Sequence, residues 1–189
     1  MKTVKATIHT EIVTSDDGKN TYEIIKRLAD VTGEKGYIIS LYPTRDETNI
    51  FACDSTLNYL VSHMQELGFN ELHIIYLVSN VVSGKMSTRG LKVDEANMSY
   101  INNLMSTKDF QKSKFIVAWG NSLLSSLAIS DSKLRIFEMY KKHCPKGKLY
   151  QLTTIGFTLD SDIAPHPLYV GIRADNTQWG LKEFVIIDN

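Results

Sequence analysis

Four short stretches of the chain are apolar almost without interruption: Tyr37-Ile38-Ile39-Ser40-Leu41, Leu72-His73-Ile74-Ile75-Tyr76-Leu77-Val78, Phe115-Ile116-Val117-Ala118-Trp119 and Leu149 to Ile155. A strand with one wet face alternates polar and apolar residues, whereas a strand covered on both faces has no reason to alternate. Amphipathic stretches separate these runs. Leu57, Leu60, Val61, Met64 and Leu67 recur at helical spacing, with Asp54 placed to cap the start and Gly68 the end. A second such segment runs from about Asp94 through Met98, Ile101 and Leu104, and a third from Ser122 to about His143 with a candidate break near Ser130-Asp131. Strand and helix in alternation imply right-handed crossovers. The predicted fold is α/β: a three-layer α/β/α sandwich around a central, mostly parallel sheet of four to five strands, with Phe184 to Ile187 as a candidate edge strand.

The first thirty residues follow another pattern. Lys5 to Val13 alternate in a strand-like way, Ser15 to Asn20 supply turn residues including Asp17-Gly18, and Thr21 to Leu28 return. Tyr22, Ile25 and Leu28 in that return also fit a helical stripe. The expectation is an N-terminal β-hairpin extension over residues 1–30, attached to a core over 36–179. A length of 189 residues suits one domain, 1–189.

Charge and cysteine content narrow the function classes. Lys plus Arg equals Asp plus Glu at 21 each, so the chain carries no overall positive field to gather polyanions. Lys141, Lys142, Lys146 and Lys148 cluster around Cys144 and Pro145, where they read as the solvated end of a helix. Cys53 and Cys144 form no C-x-x-C pair, which points to reduced thiols rather than a zinc site or a disulfide framework. The N-terminus lacks the apolar centre of a signal peptide, and no stretch approaches eighteen apolar residues. A cytoplasmic location without membrane contact is the default expectation, and no cofactor is called for.

In open parallel sheets ligands bind beyond the carboxyl ends of the strands. Here those ends read Tyr42-Pro43-Thr44-Arg45-Asp46-Glu47-Thr48-Asn49, then Ser79-Asn80 with a long loop, then Gly120-Asn121-Ser122, then a segment with Pro165-His166-Pro167. Two prolines hold His166 in a narrow range of backbone geometry. Each element also has a plain structural explanation: Pro43 as a strand terminator, Asp46 and Asn49 as turn residues, Gly120 as a close approach, His166 as a turn histidine. Ser122, Ser125 and Ser126 lack a G-x-S-x-G frame, and no phosphate-cradling glycine pattern occurs.

The stretches SLYPTRDETNIFAC, IVAWGN and PHPLYV, followed by a tryptophan, resemble in order those of an uncharacterised bacterial and phage family, domain of unknown function 1643. The resemblance covers about Tyr37 to Trp179 and marks Pro43, Thr44, Asp46, Glu47, Asn49, Cys53, Trp119, Gly120, His166, Pro167, Leu168 and Tyr169. Two departures stand out: the asparagine expected before the proline is Tyr42, and the one expected in the second strand is Tyr76.

A more distant likeness is to uracil-DNA glycosylases, which place an acidic proline loop, a Trp-Gly and a His-Pro at the corresponding strand ends. It implies a uracil-DNA glycosylase-like fold and a hydrolase acting on an N-glycosidic bond of a nucleotide or exposed nucleobase. Asp46, with Glu47 as substitute, would then activate water and His166 would donate to the departing base. Asn49 and Asn80 would read a base edge, Tyr42 would stack on it and Leu168 would fill a vacated space. The implied partners are a nucleotide, a nucleobase or nucleic acid. A non-catalytic nucleotide- or protein-binding module is the alternative, as is an accessory protein working through the loop Val81 to Leu91.

Overall fold

The computed structural model describes residues 1–44, 53–82, 84–156, 159, 164–174 and 176–186. In chain order its elements are strands β1 (Ile8–Thr14), β2 (Thr21–Leu28) and β3 (Glu34–Ser40), helix α1 (Ser55–His63), strand β4 (Phe69–Tyr76), and helices α2 (Glu95–Met105) and α3 (Lys108–Lys112). Strand β5 (Lys114–Val117), helix α4 (Leu127–His143), strand β6 (Leu149–Ile155), helix α5 (Pro167–Ala174) and strand β7 (Gln178–Glu183) follow.

All seven strands form one sheet in the order β1-β2-β4-β3-β5-β6-β7. The four apolar runs are its centre, and β4, β3, β5 and β6 are mutually parallel. Alternate residues of these strands enter two separate apolar layers. Tyr37, Ile39, Ile75, Phe115 and Val117 pack beneath α2, α3 and α4. Ile38, Leu72, Ile74, Ile116 and Leu152 pack beneath α1 and α5. Burial on both sides explains why these stretches read as continuous.

The architecture is mixed α/β, and its sheet is larger than the four to five strands expected. Beyond the parallel centre, β1, β2 and β7 all pair antiparallel. The N-terminal hairpin is therefore no appendage, because β2 bonds directly to β4 and extends the sheet. The helical alternative for Thr21 to Leu28 gives way to strand because Ile24 is buried beneath α1 while the segment bonds to a neighbour on each side. The far edge is β7; of the edge strand expected over Phe184 to Ile187, residues 184–186 lie outside any strand and Ile187 lies outside the described residues. Trp179 anchors it, filling the layer beside Tyr59 and His63.

Helix boundaries follow their caps. Asp54 Oδ1 accepts the Leu57 N–H at 2.8 Å, and Asp94 Oδ1 accepts that of Asn97 at 3.1 Å. Helix α4 begins after Ser126, whose hydroxyl caps Ile129, and runs unbroken through Ser130-Asp131. There Asp131 is paired with Arg135 one turn on, so the polar pair sits on the solvated side of a continuous helix. Helix α3 was not anticipated; Phe110 is its one buried residue.

One charged network is buried. His73 bonds Glu23 at 2.7 Å and Glu71 at 2.8 Å, and Tyr100 donates to Glu23. Burial alone would raise Glu71, but hydrogen bonds from Arg27, Lys35 and His73 bring its carboxyl down to about 2. Among the described residues, no helix is long and apolar enough to cross a membrane.

Candidate functional site

In the parallel centre, order β4-β3-β5-β6, the connections leaving β3 and β5 pass to opposite faces of the sheet, through α1 on one and α4 on the other. Such a switch point leaves a crevice outside the strand ends. A cavity of about 300 Å³ lies there, lined by Ser40 to Tyr42, Thr44, Asp54 to Leu57, Tyr76, Ser122, His166 and Leu168.

His166 is held from several directions. The Gly120 N–H donates to the Ala164 carbonyl at 2.8 Å, and the Ala164 N–H donates to Gln151 Oε1 at 2.7 Å, tying the approach to α5 onto β5 and β6. Pro167 opens α5, where a missing N–H costs nothing. The Leu168 N–H donates to His166 Nδ1 at 3.3 Å, and the Val170 N–H to the His166 carbonyl at 3.1 Å. The imidazole thus caps the helix it precedes, which is why the chain braces it with prolines.

This arrangement fixes the tautomer. With Nδ1 accepting, the ring proton sits on Nε2 and is donated to Ser40 Oγ at 2.9 Å. Burial pushes the imidazole down to about 4, while the Asp54 carboxylate across the cavity pulls the other way. His166 is therefore neutral near pH 7 and acts as a donor. It cannot take the Ser40 proton in this arrangement, which excludes a serine-nucleophile pair built on these two residues.

Asp54 brings a negative group to the same space. One oxygen caps α1, and the other accepts from the Thr44 hydroxyl. Among the described lining residues no lysine or arginine appears, and Asp54 is the one carboxylate. Among the described residues, no cluster of three or more histidine, cysteine or acidic side chains is placed to hold a metal ion.

Of the residues expected at a site, Tyr42, Thr44, His166 and Leu168 line the cavity. Gly120 backs it: its φ is +67°, and a Cβ there would lie 2.9 Å from His166 Cβ. Pro43 ties the loop down by accepting the Val82 N–H, and Pro167 is buried in the first turn of α5. Trp119 does not face the cavity. It is buried on the opposite side of the sheet against Phe137, with the Lys133 ammonium 5.1 Å above its ring. Asn80 is exposed and bridges to Asn20, away from the cavity, and Tyr169 lies on α5 beneath the Arg173 guanidinium. Asp46, Glu47 and Asn49 lie outside the described residues.

Sequence reasoning passed over Ser40 and Asp54 as lining groups; Ser122 was named at a strand end and Tyr76 as a departure from the family, neither as a ligand contact. Ser40 is the only aliphatic polar residue in its apolar run, and that was its signal. Asp54 had already been accounted for as a helix cap.

The fold and cavity define an α/β protein with a small cavity at the switch point of a parallel sheet. The chain belongs to the family described as Protein of unknown function (DUF1643), whose profile matches residues 22–168. No curated protein and no solved structure matches it.

Proposed function

We propose that the protein is a hydrolase acting on the N-glycosidic bond of a nucleotide or an exposed nucleobase, within a uracil-DNA glycosylase-like three-layer fold. The observation that carries this reading is the neutral imidazole of His166, fixed as an Nε2–H donor at the wall of a cavity that also holds the Asp54 carboxylate. Cleaving an N-glycosidic bond leaves negative charge on the departing base. A donor locked in place before reaction stabilises that charge without reorganising. Ser40 extends the donor: it accepts from His166 and turns its own hydroxyl proton to a base carbonyl.

The positive charge developing on the sugar calls for a carboxylate and an oriented water. Asp54 stands in the cavity for the first of these tasks, and Asp46, with Glu47 as its substitute, is assigned the second. Tyr42 and Tyr76 offer aromatic walls for a base. A volume of about 300 Å³ is at the lower end for small-molecule sites and suits a base with its sugar.

The test is release of free base from a nucleoside panel and from uracil-containing oligonucleotides. Asp54→Asn keeps an oxygen to cap α1 and removes the charge, so it separates fold from chemistry. Release by the wild type, with Asp54→Asn and Asp46→Asn each reduced by about 10²-fold or more, is the expected result. A second reading, a binding module without catalysis, draws on the full hydrogen bonding of Asp54 by Thr44 and Leu57. Nucleoside binding without release from any substrate would favour that module.

A further inference from the structure

Lys26 lies in the middle of β2 with its side chain in the apolar layer beneath α1, and it is only 4% exposed. Its ammonium donates to Thr10 Oγ1 at 2.9 Å and to Cys53 Sγ at 3.3 Å. Among the described residues no carboxylate pairs with it. Of these two partners, the Cys53 sulfur is the one that peroxide can oxidise. The thiol is half-buried, so small oxidants reach it, and the next residue in the chain is the cavity carboxylate Asp54.

We propose that Cys53 and Lys26 form a peroxide-responsive covalent site, closing a sulfur–nitrogen bond between β2 and the start of α1. In the first step the Cys53 thiolate attacks one oxygen of hydrogen peroxide. The O–O bond breaks, and the departing hydroxide takes a proton from the Lys26 ammonium and leaves as water. The products are a sulfenic acid at Cys53 and a neutral amine at Lys26. In the second step the amine attacks the sulfur, the S–O bond breaks, and a second water leaves with the hydroxyl and one amine proton. Sulfur is oxidised by two electrons and peroxide is reduced to water. A thiol reductant attacks the same sulfur and restores both side chains. The lysine is thus first the proton source and then the nucleophile, which a 3.3 Å approach allows without rearranging the strand. The site is independent of the reaction proposed for the cavity.

The experiment is peptide mapping of the full chain after treatment with equimolar hydrogen peroxide. The expected product is a cross-linked pair of peptides, one holding Lys26 and the other Cys53, lighter by two hydrogens than their sum and separated again by dithiothreitol. Lys26→Arg keeps the charge but not the reactive amine. In that variant the cross-link should be lost and Cys53 should instead be trapped by a sulfenic-acid reagent, while Cys53→Ser should give neither. Cys144 is the internal control: burial pushes its thiol up, and among the described residues no lysine is hydrogen-bonded to it. Wild-type protein in which Cys53 stays unreacted, oxidises without linking, or reacts no faster than Cys144 would overturn the proposal, whatever the variants do.

Discussion

Ser40, at the end of β3, and His166, at the start of α5, stand 126 positions apart in the chain and meet in one 2.9 Å hydrogen bond at the cavity wall. Each fixes the other. Ser40 is 1% exposed and needs the imidazole proton, and the imidazole has no other described acceptor for it.

Replacing Ser40 with alanine leaves a buried N–H without its acceptor, at a penalty of about 1–3 kcal/mol. Urea unfolding of Ser40→Ala, His166→Asn and the double variant should show that the two losses do not add, because both single changes remove the same bond. Full additivity would mean that the bond does not form in solution.

The protonation of His166 predicts how stability depends on pH. The folded protein keeps the ring neutral down to about 4, whereas an unfolded chain protonates it near 6.5. Between those values the unfolded state binds the extra proton, so stability falls as pH falls. This group takes nothing from stability above 6.5, and its effect levels off below about 4, after a loss on the order of 3 kcal/mol. Wild type should therefore show a steeper decline across that window than His166→Asn. Parallel declines would place the imidazole in water.

Gly120 offers a packing test of the same corner. Alanine there meets both a left-handed backbone and the His166 side chain at 2.9 Å. The expected loss is about 1–3 kcal/mol, read as a lower melting temperature with weakened ligand binding. Gly90→Ala is the matched control, since its φ is +72° but no atom lies within 4 Å of the added Cβ. If both variants lose the same stability, contact with His166 contributes nothing.

The parallel centre was legible in the sequence because burial on two faces erases alternation, and β3, β4, β5 and β6 all fall on the four apolar runs. The edges were not. Strand β2 turns Glu23 and Lys26 inward, which spoils a period-two pattern, and β7 buries little besides Trp179. At the site, the strand-end rule found Tyr42, Thr44, Ser122 and His166, and the family resemblance added Leu168. The resemblance placed Trp119 there as well, because the position of a residue along a strand does not say to which face it points. Trp119 shares the parity of Val117 and so lies under α4. Ser40 was hidden by its apolar neighbours, and Asp54 by a sufficient explanation as a cap.

The segment that marks the family, residues 22–168, stops two residues into α5 and omits both outermost strands. Yet Trp179, beyond that limit, stacks on His63 at 4.1 Å and closes the layer behind the cavity. The recognisable unit is consequently smaller than the one that can seal its own interior. A fragment trimmed to the family limits would bare the flank of β6 and open an indole-sized hollow under α1, so a self-sufficient piece has to reach from Ile8 to Glu183.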